Sequence, residues 1–149
     1  MDLYKKSPAL FLSFAFSLTL LMGCGSSGPT EPITPVTGTV TLDGSPLAGV
    51  RVSFMSVVDE KTVDISHTAA GTTDESGAFT LSTTYSSKKH GGAVHGEHVV
   101  IVRVPSSYKG DNPPEIPAKY GNAEKSPLRF TVTDDEAANN FKIELTSGG

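Results

Sequence analysis

Three histidines, His90, His95 and His98, lie within nine residues of one another with Glu97 beside the last, and they form the only cluster in the chain that resembles a transition-metal site. Geometry constrains that reading. If His98 opens a strand it faces away from Glu97, so the set converges only when His90 and His95 fold back from Gly91-Gly92. Otherwise the three are solvated loop histidines. Carbohydrate binding wants exposed aromatic rings, and the loop candidates are Tyr85, Tyr108 and Tyr120. A serine nucleophile would need a strained elbow of the Gly-x-Ser-x-Gly kind or an Asp/His pair at telling spacing, and the chain has neither. No catalytic residue and no cofactor are therefore expected.

The single cysteine carries the most specific signal. Lys5 and Lys6 precede an almost uninterrupted apolar run from Ala9 to Met22, too short for a comfortable membrane span of ~20 residues. Leu21-Met22-Gly23-Cys24 then resembles the lipobox of bacterial lipoproteins, in which Cys24 would be acylated and the bond before it cut. Cutting there removes Asp2, Lys5 and Lys6, a net +1, and takes the net charge from −4 to −5. An acidic chain argues against nucleic acid as a partner and against electrostatic adhesion to anionic lipid. Membrane attachment would rest on acyl chains such as palmitate, each buried methylene contributing ~0.8 kcal/mol. Gly25 to Pro35 has no periodic apolar pattern and reads as a tether, holding the folded domain roughly 20 Å from the anchor.

The elements that must position any site are strands. With 15 Gly, 10 Pro, 37% hydrophobic and 19% charged residues, the chain suits a β-rich domain with many turns. Val36, Val40 and Leu42 alternate with Thr37, Thr39 and Thr41, and Val50, Val52 and Phe54 repeat the period after Asp43-Gly44, which predicts an opening hairpin. Val63 and Ile65 predict a third strand, and Phe79 and Leu81 a further one after the Asp74-Glu75-Ser76-Gly77 turn. Residues 86–96 read as a polar connection. Val99 to Val102 are apolar on both faces and predict a central strand covered on each side, with the Pro-rich connection 105–127 as the cover. Leu128 to Val132 and Phe141 to Leu145, either side of Asp134-Asp135-Glu136, predict a closing hairpin.

Val36 to Phe54, Gly71 to Phe79 and Gly96 to Ile101 together resemble the carboxypeptidase regulatory-like domain. Ile116-Pro117-Ala118-Lys119-Tyr120-Gly121 with Ser126-Pro127-Leu128 is similar to small planctomycete-type envelope lipoproteins. The resemblance implies an all-β, seven-stranded antiparallel Greek-key sandwich of transthyretin (prealbumin) type, and an accessory envelope module. Some relatives of that sandwich are enzymes, but the chain lacks their patterns: it ends in Leu145-Thr146-Ser147-Gly148-Gly149 rather than the Tyr-Arg-Gly-Ser tail of hydroxyisourate hydrolases.

The expected organisation is a signal peptide at 1–23, a tether at 24–35 and a sandwich at 36–146. The expected function is that of a lipid-anchored, non-enzymatic protein on the periplasmic or surface side of the cell envelope, held to the membrane by Cys24 and acting as a structural or protein-interaction module. The alternative is an envelope module that binds a small ligand, divalent metal or glycan through the 86–98 and 105–127 loops.

Overall fold

Alternation in the sequence becomes two facing sheets. The computed structural model describes residues 31–59, 62–85 and 87–148. The expected signal peptide, Cys24 and the first part of the tether lie outside them. The strands are β1 (Ile33–Thr34), β2 (Thr37–Leu42), β3 (Ser45–Pro46), β4 (Arg51–Asp59), β5 (Thr62–Thr72), β6 (Ala78–Thr80), β7 (Ser82–Tyr85), β8 (Lys88–Gly91), β9 (Ala93–Val94), β10 (Gly96–Arg103), β11 (Arg129–Val132) and β12 (Asn140–Leu145). A six-stranded antiparallel sheet runs in the order β11-β10-β4-β5-β7-β8. Facing it, β2 is flanked by β12 on one side and by β3 and β6 on the other. The fold is an all-β sandwich.

Its interior is filled by the residues whose period pointed inward. Val36, Val40, Val52, Phe54, Val100, Val102, Ile143 and Leu145 are all buried. Phe54 sits at the centre, with ring centroids of Phe141 at 5.7 Å, His98 at 5.8 Å, Phe130 at 6.0 Å and Phe79 at 6.4 Å. β10 is buried on both faces as its sequence predicts, from His98 through Val102. The 105–127 connection supplies Tyr120 to the interior cluster and ties Ser126 Oγ to the Val100 carbonyl at 2.5 Å.

Two turns form as their residues require. Asp43 and Gly44 both have positive φ, 50° and 83°, the backbone of a two-residue reversal that returns β2 into β3. Asp74 Oδ1 accepts from Ser76 N at 2.8 Å and Ala78 N at 3.0 Å, while Gly77 takes φ 76° to close the loop. Thr73, just before it, is buried; its hydroxyl donates to the Leu47 carbonyl at 2.7 Å and accepts from Val50 N at 3.0 Å.

Four features depart from expectation. The opening hairpin is short: β3 pairs with β2 over only two residues, and β4 passes to the other sheet. The final two strands are not a hairpin. β11 joins the large sheet antiparallel to β10, whereas β12 lies parallel to β2 with Asn140 opposite Thr37 and Leu145 opposite Leu42. The cause is packing, because Phe130 and Phe141 approach each other at 4.9 Å from opposite sheets, each partly buried against the core. Buried Asn139 shapes the crossing, accepting from Thr133 N at 3.0 Å and donating to the Thr133 carbonyl at 2.9 Å. Residues 86–96 are not a plain loop, since β8 pairs with β7, and β9 pairs with β1. That last pairing also carries strand structure two residues into the segment expected to be tether.

Gly38 marks the tightest approach between β2 and its neighbours. A Cβ there would strike the Phe141 carbonyl oxygen and lie 2.7 Å from Phe79 Cζ. Gly38→Ala should cost about 1–3 kcal/mol in urea denaturation. Gly91→Ala, where a Cβ meets nothing within 4 Å, should change stability by less than about 0.5 kcal/mol.

Candidate functional site

The structure separates the three histidines. His98 is fully buried against Phe54, with Nδ1 3.0 Å from the Gly96 carbonyl and Nε2 3.2 Å from Ser56 Oγ. Both ring nitrogens are thus engaged, Nδ1–H donating and Nε2 accepting in the neutral ring, and no lone pair remains for a metal. His95 Nε2 shares a hydrogen bond of 2.5 Å with Thr34 Oγ1, fastening the β9 turn to β1. His90 lies on β8 opposite Thr83. Among the described residues no group of three His, Cys, Asp or Glu side chains could hold a metal ion. Strand parity is the reason: His98 shares the inward face with Val100 and Val102.

Of the three tyrosine candidates, Tyr85 lies on β7, and Tyr120 and Tyr108 have different surroundings. Tyr120 is buried in the core, and its hydroxyl meets Thr146 at 3.2 Å, so it anchors the long connection to the end of β12. Tyr108 is half-buried over Gly49, where a Cβ would come within 2.9 Å of its ring, and it forms one wall of a cleft of about 590 Å³ with Thr72 to Glu75. A second cleft of about 730 Å³ lies between Arg103, Val104 and the Pro114–Ala118 segment. Arg103 Nε donates to the Gly121 carbonyl at 2.5 Å along its side.

One constellation escaped the sequence reading. β5 pairs with β4 at Ala69↔Phe54 and again at Asp64↔Ser56, so four residues of β5 stand where β4 has only Met55. This wide bulge folds on itself. Asp64 accepts from Ser66 N at 2.8 Å and from Ser66 Oγ, and its second oxygen holds His67 Nδ1 at 2.7 Å. The His67 ring stacks on Tyr85 at 5.6 Å and 15°. Bonds from Ser66 and then His67 hold the Asp64 carboxyl pKa down at about 2. The carboxylate orients the imidazole as a base would be oriented. Among the described residues no nucleophile completes the arrangement: Ser66 Oγ donates to Asp64 and lies 3.5 Å from Nδ1, on the wrong side of the ring for proton transfer to Nε2.

Residues 36–113 match a family model, which is more than half of the 149-residue chain. The chain belongs to the DUF6795 family, a domain of unknown function. No curated protein and no solved structure matches it. The DUF6795 match runs from the residue before β2 through β10, so it takes in the bulge, Tyr108 and His98. The strands β11 and β12, which complete the two sheets, lie beyond it. Among the described residues no helix is long and apolar enough to cross a membrane.

Burial pushes the His98 imidazole below its ordinary value of 6.5, with the Gly96 carbonyl partly opposing the shift. The unfolded chain therefore binds a proton that the folded domain refuses. Stability from this group is complete above pH 6.5 and is lost as pH falls from there toward the folded value. Asp64 acts lower, between its ordinary 3.8 and about 2. Thermal midpoints measured from pH 7.5 to 5 should decline in the wild type, and the decline should be markedly flatter in His98→Phe.

Proposed function

We propose that this DUF6795 protein is a lipid-anchored, non-enzymatic module of the cell envelope, held to the membrane by acylated Cys24 and acting as a structural or protein-interaction domain. The observation that carries the reading is Leu21-Met22-Gly23-Cys24, placed after an apolar run and ahead of a Gly/Ser/Pro tract, in a chain whose first described strand begins at Ile33. Residues 1–23 would be the signal peptide and the segment after Cys24 the tether. The sandwich is of the carboxypeptidase regulatory-like, transthyretin type in this proposal, with the all-β architecture and the Asp74–Gly77 turn as support. Its display on the periplasmic or surface side follows from export, and an envelope protein is the partner it would meet.

A second reading has one specific observation behind it. The 105–127 connection forms the cleft beside Arg103 and Val104, which suits a module that binds a small ligand. The 86–98 segment is largely committed to β8, β9 and β10, so the connection is the better placed of the two.

The anchor is tested by expressing the full chain and its Cys24→Ser variant in a bacterial host fed a palmitate analogue. Wild-type protein should take up label and sediment with membranes; the variant should be unlabelled and soluble. Label persisting in Cys24→Ser would refute the lipid attachment.

A further inference from the structure

The outer face of the six-stranded sheet carries a trough lined, among the described residues, by strand residues alone. Across β4, β5, β7 and β8 the register places Arg51 opposite Thr72, Ala70 opposite Ser82 and Thr84 opposite Lys89, all on the face turned away from the core. A recess of about 350 Å³ runs between them. Small residues, Ala70 and Gly71, make its floor, hydroxyls from Thr72, Ser82 and Thr84 line it, and Arg51 and Lys89 stand at its two ends. Among the described residues no carboxylate and no aromatic or large apolar side chain lines it.

Two further observations point to an anion. Arg51 and Lys89 are exposed and make no ion pair among the described residues, in a chain whose net charge is −4. Arg103 on β10 stands directly across from Arg51, so two like charges occupy one cross-strand pair. Such a pair is destabilising by itself, and an anion at Arg51 would relieve it, Arg103 being held at the Gly121 carbonyl outside the trough.

We infer that this trough binds a linear acidic polysaccharide, with Arg51 and Lys89 meeting carboxylate or sulfate groups and the threonine and serine hydroxyls meeting sugar hydroxyls. Three strand spacings of about 4.8 Å and about four residues of offset along the strands separate the two cations, too far for one small anion to bridge. An extended chain with repeating acid groups spans that distance. A neutral glycan would want an aromatic platform, whereas an acidic one can be held by charge and hydroxyl contacts without it; a base of single-stranded nucleic acid would lack its stacking ring. A lipid surface would need apolar side chains that the lining lacks. The inference stands whether or not Cys24 is acylated.

The test uses the full chain in detergent and oligogalacturonate as the probe, with a neutral glucan of equal length and oligothymidylate alongside. Oligogalacturonate should bind, and both comparators at least about tenfold more weakly. The double variant Arg51→Gln, Lys89→Gln should lose at least about tenfold in affinity with a thermal midpoint that is not lowered, since it also removes the Arg51–Arg103 repulsion. Thr72→Val with Thr84→Val, which keeps every charge, should also weaken binding severalfold. Absence of oligogalacturonate binding, undiminished binding by the charge variant or the hydroxyl variant, or equal binding of oligothymidylate would each overturn the proposal.

Discussion

Everything in the sandwich is arranged around the need to surround Phe54. Its ring receives Phe79 from one sheet, His98 and Phe130 from its own, and Phe141 from the strand that closes the opposite face. Aromatic pairs at such separations, tilted or offset-stacked, add to simple area burial. Because these five rings come from five strands drawn from both sheets, no strand can slip by a residue without turning its ring to solvent. The same constraint buries His98, so a side chain that could have ligated a metal serves as an aromatic wall with its two nitrogens satisfied locally.

Periodicity alone was enough to read the inward faces of β2, β4 and β12, since Val40, Val52 and Ile143 keep strict parity, while the unbroken apolar run of β10 marked it as covered on both faces. The Asp74 and Gly77 turn was equally legible, because its chemistry is local. Sheet membership was not. Alternation in Phe141, Ile143 and Leu145 is the same whether the strand pairs with β11 or with β2, and only the meeting of Phe130 and Phe141 across the interior decides between them. Lys88 to Gly91 carries no apolar residue at all, so β8 gave no period to read; it forms because β7 offers it a free edge.

The candidate site was less legible still. Asp64 and His67 are three residues apart, a separation that puts side chains on opposite faces of a regular strand. Only the bulge between Asp64 and Ala69 brings them together, and nothing in the local residue types marks it. The histidines did attract attention through spacing, yet strand geometry disperses them to the core, to the β1 contact and to β8. The family match likewise stops before β11 and β12, although both sheets need those strands to enclose Phe54.

The parallel pairing of β2 with β12 gives the domain a mechanical polarity. Chain enters β2 at Thr37, beside Asn140, and leaves β12 at Leu145, beside Leu42. The two exits therefore lie at opposite poles, separated by about 20 Å for six residues of strand. Tension applied between the flanking segments would slide one strand along the other, loading the hydrogen bonds of the pair together in shear. An antiparallel pairing would have placed both exits at one pole, where the same pull opens bonds one at a time.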